Sequence, residues 1–356
     1  MYLHIKNEEK RIIVTDFYKE LAKYRNHILK HQCKENIELL KELLNGHKII
    51  DIDSYVKENP YVVDLLTKGI VFLLMDGLDY GTYKLVLPKD IINLFQPILN
   101  DPISIKNNKQ ANLFCTYLDA FLNLYGAIET TCFLDVWNER NKEYQLTIEE
   151  LYSEIKELKG YHQHLNLAAY GKIIYNDLSM EGAEAVNLVH STREHNYYAP
   201  TIEDIVYFST NEFDTRTPYY DEMKEFISNY TSTMGVEVIM DNFMTDVTTG
   251  SHLCIGERLN ELEEFYDINF LSLTAEREFD HLYTNLYYNS PKWVLRGNKL
   301  NNLSRKIRER FTSHKSDCPY TRTFPDHNKK IAVEWLNKGS LCPCGSGVEY
   351  EECHGI

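Results

Sequence analysis

Four residues near the end of the chain have side chains that bind soft or borderline metal ions. Cys342 and Cys344 are separated by one proline, and Cys353 is followed at once by His354. Thiolate and imidazole are ligands that suit zinc, and four of them make a closed tetrahedral site. Such a site leaves no position for water, so its role is structural. We therefore predict that these four residues bind Zn²⁺, which supplies much of the folding free energy of so small a unit.

The segment around these residues reads Cys-Pro-Cys-Gly-Ser-Gly at 342–347 and Cys-His-Gly at 353–355. It resembles the SEC-C motif, a zinc-binding motif named for the C-terminal tail of the bacterial translocation motor. The resemblance covers residues 342–355 and nothing upstream. It implies that the same four residues are the zinc ligands. It also implies docking, because proteins of this family use such tails to bind a protein partner or the ribosome.

The charge of the tail departs from the family pattern. Family members usually carry lysines between the glycine turn and the second ligand pair, whereas this chain has Val348, Glu349, Glu351 and Glu352 there. A basic tail suits an acidic partner surface or RNA, and this tail has the opposite charge. The resemblance therefore predicts zinc binding without identifying the partner.

A second set of residues could perform acid–base chemistry on RNA. Arg25 and His31 lie six residues apart in a predicted helix, a pattern that resembles HEPN-type ribonucleases. The resemblance implies that the histidine and arginine activate the ribose 2′-hydroxyl and stabilise the phosphate charge. Six residues place the side chains more than about 100° apart around a helix axis, unless the helix ends or bends. Similar spacings at 308–314 and 322–327 show that such pairs also arise by chance.

The charge of the chain changes sign along the sequence. Residues 201–247 contain ten acidic and two basic residues, whereas residues 292–330 contain eleven basic and three acidic ones. Aromatic residues interleave the basic stretch, which is typical of surfaces that contact phosphates and unpaired bases of RNA or DNA. The alternative is a solvated helix face that pairs with the acidic stretch of the same chain. The candidates for nucleic-acid binding are Arg296, Arg305, Lys306, Arg308 and Arg310.

Two further groups of residues could hold a metal ion. His162 and His164 would share one face of an extended strand, and His314, Cys318 and His327 would need a fourth ligand. The sequence contains no Walker A loop, no Gly-x-Gly-x-x-Gly after a strand, no Gly-x-Ser-x-Gly and no His-Glu-x-x-His. It therefore gives no support to the common nucleotide-dependent and zinc-hydrolase classes.

Composition places the chain among globular proteins. Its 356 residues are 43% hydrophobic and 26% charged, which is ordinary for a folded chain of two domains. The formal net charge of −15 argues against uniform binding to nucleic acid or to an anionic membrane. The first residues lack the apolar region of a secretory signal, and the most apolar run, 69–75, is far shorter than the about 20 residues that span a bilayer. We therefore expect a cytoplasmic protein with reduced cysteines and no membrane contact.

Periodicity predicts a mainly α fold, or an α+β fold with a small N-terminal sheet, that ends in the zinc-stapled tail. Capping boxes at Thr147–Glu150 and Thr201–Asp204 each predict the start of a helix. Strands are predicted at 2–5, 11–14, 48–52 and 83–87. Helices are predicted at 15–31, 35–44, 61–75, 107–125, 273–288 and 294–311. The expected regions are 1–145, 146–338 and the tail 339–356.

Two functional hypotheses follow from these patterns. The first is a cytoplasmic bacterial protein that the zinc tail docks on a protein partner or a ribosome. The second is an effector enzyme, such as a HEPN-like ribonuclease of a defence or toxin system, with the tail as its targeting module. They differ in whether Arg25 and His31 are needed for activity.

Overall fold

The chain forms two compact units in a computed structural model, Met1–Thr116 (unit 1) and Tyr117–Ile356 (unit 2). The domain boundaries expected from the sequence stay a prediction. The structure describes residues 7–51, 55–57, 59, 61–75, 82–159, 165–168, 171–250, 253, 255–270, 272–311, 320–324, 329–333, 339, 341, 348 and 349. Within these residues, no helix is both long and apolar enough to cross a membrane.

Unit 1 combines helices with one small sheet, as the α+β alternative predicted for the N-terminal region. Its sheet is antiparallel with the order β1-β3-β2, and both outer strands place a residue opposite Val86. Leucines and isoleucines of the helices and of β3 form a common core, in which Leu40, Leu65 and Leu85 are fully buried. The elements are α1 Asn7–Lys30, α2 Lys34–Leu43, β1 His47–Asp51, α3 Val62–Thr67, β2 Phe72–Met75, β3 Thr82–Val86 and α4 Lys89–Leu99.

Two predicted elements of unit 1 are wrong. Residues 11–14 were expected to form a strand, but they lie inside α1. Residues 61–75 were expected to form one helix, but α3 ends at Thr67 because Gly69 takes a left-handed conformation with φ of 64°. The chain then continues as β2, whose pairing with β3 outweighs the local helical pattern. The strand predicted at 2–5 lies outside the described residues.

Unit 2 is mainly helical and contains a second small sheet. The helix α5, Pro102–Tyr125, passes from unit 1 into unit 2. The sheet is antiparallel with the order β4-β6-β5, and β7 and β8 form a separate antiparallel pair. The elements that follow α5 are β4 Ala127–Glu129, α6 Thr130–Arg140, α7 Ile148–Leu158, β5 Leu165–Ala168, β6 Ile173–Asn176, α8 Gly182–Ser191, α9 Ile202–Phe208, α10 Pro218–Ser228, α11 Thr233–Thr249, α12 Ile255–Tyr266, α13 Leu273–Asn289, α14 Arg305–Arg308, β7 Tyr320–Phe324 and β8 Lys329–Val333.

The helix starts of unit 2 follow the sequence closely, but one predicted helix does not form. Both capping boxes are present, with Thr147 at the start of α7 and Thr201 at the start of α9. Residues 294–311 were expected to be one helix. They form two 3₁₀ turns and the single-turn α14, because Arg296 and Gly297 both have a positive φ that interrupts a right-handed helix.

The turn between α5 and β4 is closed by an indole ring from far along the chain. Gly126 has φ of 72°, and a Cβ atom added to it would lie 2.5 Å from Cδ2 of Trp293. The same indole donates from Nε1 to the carbonyl oxygen of Asn123 at 3.0 Å. Glycine is required here both for the left-handed backbone and for the close approach of the ring.

We expect Gly126→Ala to lower the free energy of unfolding by about 2 to 4 kcal/mol, because a strained φ adds to an overpacked contact with Trp293. Urea unfolding followed by tryptophan fluorescence measures this change. The control is Gly182→Ala in the first turn of α8, where φ is ordinary and the nearest atom is the terminal hydroxyl of Tyr175 at 3.1 Å. Equal stability of Gly126→Ala and wild type would contradict the assigned role of the turn.

Candidate functional site

The described part of the tail is a short pairing on either side of the first two predicted zinc ligands. Leu341 and Glu349 form an antiparallel bridge. The residue types fit the metal, because three thiols and one imidazole are a donor set typical of structural zinc. Cys342, Cys344, Cys353 and His354 themselves lie outside the described residues.

The pair predicted to act on RNA lies at the end of a helix. Arg25 is half-buried in α1, which ends at Lys30, so His31 is the first residue beyond the helix. The ring of His31 contacts the ring of His27 edge-to-face, with centroids 4.9 Å apart. The role of Arg25 and His31 in catalysis stays a prediction. The other metal candidates, His162, His164, His314, Cys318 and His327, lie outside the described residues.

The first basic residue proposed for nucleic-acid binding is inside unit 2. Arg296 is only 8% exposed. Its guanidinium donates to Thr192 Oγ1 at 3.2 Å and to the Val189 carbonyl at 3.0 Å, and it lies 3.5 Å from Glu129 Oε1. It also stacks on the ring of Tyr197, 4.3 Å from the centroid. Arg296 is therefore a buried anchor, away from the surface that phosphate contact requires.

Lys292 has a similar internal position at the start of the basic stretch. It is fully buried, and its amine donates to the carbonyl oxygen of Val247 in α11. The amine also lies 3.4 Å from the ring centroid of Tyr287. Burial holds the pKa of Lys292 well below its usual value. A buried amine that has lost part of its tendency to ionise cannot neutralise a phosphate at the surface.

Internal charge pairing, the alternative for the basic stretch, is present at Lys299. Its amine lies 3.0 Å from Oδ2 of Asp214, whose other oxygen accepts from Arg216 at 2.8 Å. Burial raises the pKa of Asp214, but the bonds from these two cations outweigh burial and hold the pKa below its usual value. Asp214 thus connects the acidic stretch to the basic one.

The remaining basic candidates lie on or beside α14. Arg305 and Lys306 are exposed. Arg305 pairs with Glu309 at 2.7 Å, and Arg310 pairs with Glu194 at 2.8 Å. Their charge is therefore partly compensated within the chain, and contact of Arg305, Lys306, Arg308 and Arg310 with RNA or DNA stays a prediction.

The structure also contains a polar cleft that the sequence did not indicate. It has a volume of about 550 Å³ and lies wholly within unit 2. Asp119 and Asn123 project into it from successive turns of α5, and Thr245 and Thr249 do so from α11, while Trp293 forms part of the wall. The other lining residues are Leu122, Asn176, Leu178, Ser179, Ser209, Thr210 and Glu212.

Asp119 has the most perturbed carboxyl group in this cleft. Burial raises its pKa to about 7, and no hydrogen bond or ion pair among the described residues offsets that burial. A carboxyl group that titrates near neutrality in a cleft is typical of functional sites, because such a group otherwise lowers stability without benefit. Its neighbours in space come from several elements, so no local sequence signal could have indicated it.

We expect Asp119→Asn to raise the free energy of unfolding by about 1 to 3 kcal/mol above pH 7. The unfolded carboxyl ionises near pH 4, whereas the folded one resists ionisation until about pH 7, so wild type loses stability as the pH rises between these values. The gain should fall to near zero at pH 4, where Asp119 is neutral in the folded chain and only partly ionised in the unfolded chain. Thermal unfolding of both proteins from pH 4 to pH 8 measures it, and a pH-independent difference would contradict this origin.

Comparison with known proteins yields one match. Residues 340–356 match the SEC-C motif family. Neither the curated proteins nor the solved structures include a match to the chain. The match contains both predicted ligand pairs and the Leu341–Glu349 bridge. The segment at residues 340–356, which belongs to unit 2, is therefore a SEC-C motif.

Proposed function

We propose that this chain is a zinc-dependent docking protein of the bacterial cytoplasm. Its SEC-C tail binds one Zn²⁺ through Cys342, Cys344, Cys353 and His354 and attaches the helical body to a protein partner. The observation that carries this proposal is the SEC-C match at residues 340–356. A reducing compartment is required, because oxidised cysteines cannot act as thiolate ligands.

Zinc has a structural role in this proposal. The metal joins two ligand pairs that are separated by eight residues, Gly345–Glu352, and so fixes the backbone between them. A segment of this size cannot bury enough apolar surface to fold alone. Metal binding and folding of the tail are therefore one event, and the docking surface exists only in the metal-bound form.

Charge favours a protein surface over ribosomal RNA as the docking partner. Glu349, the bridge partner of Leu341, is exposed, and Glu351 and Glu352 follow it in the sequence. Carboxylates repel the phosphate backbone, whereas they complement lysine and arginine side chains on a protein. The expected partner surface is therefore basic.

We expect the purified wild-type chain to hold about one Zn²⁺ and Cys353→Ala to lose it, because three ligands bind the ion far more weakly than four. Metal analysis by mass spectrometry after dialysis measures the content per chain. The matched control is Cys33→Ser, which removes a thiol at the start of α2, outside the tail, and should leave the zinc content unchanged. A wild-type chain free of zinc after purification under reducing conditions would contradict the assignment.

We expect the partner to be lost from the tail variants while the body stays folded. Affinity isolation from a bacterial lysate would compare wild type, a truncation after Lys338 and Cys353→Ala, with circular dichroism to check the body. We expect wild type to capture a partner protein that neither the truncation nor Cys353→Ala captures. Co-sedimentation of wild type with ribosomes, abolished in both variants, would instead identify the ribosome as the partner. Identical partners for all three proteins would show that the tail does not dock.

A further inference from the structure

Most of the polar groups that line the cleft can still accept a hydrogen bond from a ligand, but have no proton left to donate to it. Each hydroxyl carries a single proton, and in four lining residues that proton is already donated to a helix carbonyl. The remaining lone pairs of these oxygens can only accept. The four donors are Ser209, Thr210, Thr245 and Thr249, which bond to the carbonyl oxygens of Val206, Tyr207, Asp241 and Asp246 at 2.8, 3.4, 2.9 and 3.4 Å.

The amide of Asn123 adds to this acceptor character. Its Nδ2 donates to the carbonyl oxygen of Phe208 at 2.8 Å, so Oδ1 is the atom that it offers to a ligand. Asn176 and Ser179 are exceptions. The Oδ1 of Asn176 accepts from the backbone N–H of Leu178 at 3.0 Å, so its Nδ2 remains a donor. The hydroxyl of Ser179 donates to no group among the described residues. A ligand that matches the cleft is therefore rich in donors.

The charge of the cleft has one sign. Its titratable lining groups are Asp119 and the exposed Glu212, and its described lining contains no lysine, arginine or histidine. An anion would meet only repulsion here, whereas a cation would supply the partner that Asp119 lacks among the described residues. Leu122 and Leu178 provide apolar walls that suit methylene groups.

We propose that this cleft binds a small aliphatic amine, a diamine or polyamine, with an ammonium group paired to Asp119. The volume of about 550 Å³ is that of an ordinary small-molecule site. Ammonium protons satisfy the acceptor oxygens of Thr245, Thr249 and Asn123, while Glu212 at the rim attracts the remaining positive charge. A neutral sugar would leave Asp119 without a counter-charge, and a bare divalent ion would leave the apolar walls unused.

Binding of the amine is linked to a proton. The pKa of Asp119 is raised to about 7 by burial, so the carboxyl group is partly protonated at neutral pH. An adjacent ammonium favours the ionised form, and binding therefore releases a proton into the buffer. Affinity should rise about tenfold from pH 6 to pH 8, because that interval takes Asp119 from mostly protonated to mostly ionised.

Isothermal titration calorimetry of the full chain with 1,5-diaminopentane and with spermidine tests the proposal. Near pH 7, the heat should differ between buffers of low and high ionisation enthalpy. Asp119→Asn should weaken binding at least tenfold and remove its pH dependence. The matched control is Asp135→Asn, which removes the same charge from an exposed position of α6 outside the cleft lining.

Two further probes decide between ligand classes. Glucose tests a neutral donor-rich ligand, and Mg²⁺ tests a bare cation. Saturable binding of either amine that Asp119→Asn abolishes supports the proposal, since that variant is expected to be at least as stable as wild type. Amine binding that survives in Asp119→Asn, no amine binding at pH 8, or tighter binding of glucose or Mg²⁺ than of both amines would overturn it.

Discussion

Unit 2 depends on the burial of two basic side chains, Lys292 and Arg296, that lie within five residues of each other in the sequence. Lys292, Trp293 and Arg296 all point inward, where an unpaired charge is strongly unfavourable. The two cations meet this constraint in different ways. Arg296 donates to Thr192, Val189 and Glu129. Lys292 has a lowered pKa instead and bonds to a helix carbonyl while it packs on Tyr287. The unit is thereby fixed from the inside by residues that would normally lie in solvent.

The same segment shapes the cleft. Trp293 packs on Gly126 and bonds to the carbonyl oxygen of Asn123, so it holds the end of α5 in place. Asp119 is one turn earlier on that helix and faces the cleft with no described group of opposite charge to stabilise it. A well-packed wall beside an unsatisfied carboxyl group is the pattern expected when stability is given up locally for ligand binding. In unit 2, a closely packed interior around Trp293 and Arg296 thus lies beside a carboxyl group, Asp119, that has no described partner.

The sequence predicted a feature correctly where that feature depends on residues close together in the chain. The capping boxes at Thr147 and Thr201 depend on residues three apart, and the SEC-C motif depends on ligand types within fifteen residues. Prediction failed where distant residues decided the outcome. The sequence pattern of residues 72–75 predicts a helix, but pairing with β3 makes them a strand. The pattern of residues 294–311 predicts a solvated basic helix, but Arg296 has a positive φ and is buried in unit 2. Asp119 belongs to this second class, because its pKa is set by elements that meet only in the folded chain.

The closing contacts of unit 2 have a consequence for the order of events during synthesis. Trp293 bonds to a residue 170 positions earlier, and Arg296 meets a residue 167 positions earlier. At about 5 to 20 residues per second, the ribosome needs roughly 10 to 30 seconds to add that length of chain. Unit 1 has its core within Met1–Thr116 and can fold during this interval. Phe121 meets Phe133 soon after synthesis, whereas Tyr125 packs on Tyr197 and lies beside Gly297, and Asn123 accepts from Trp293. The last turn of α5 therefore completes its packing only after residues 197–297 have been added, which leaves apolar surface exposed in the nascent chain for that time.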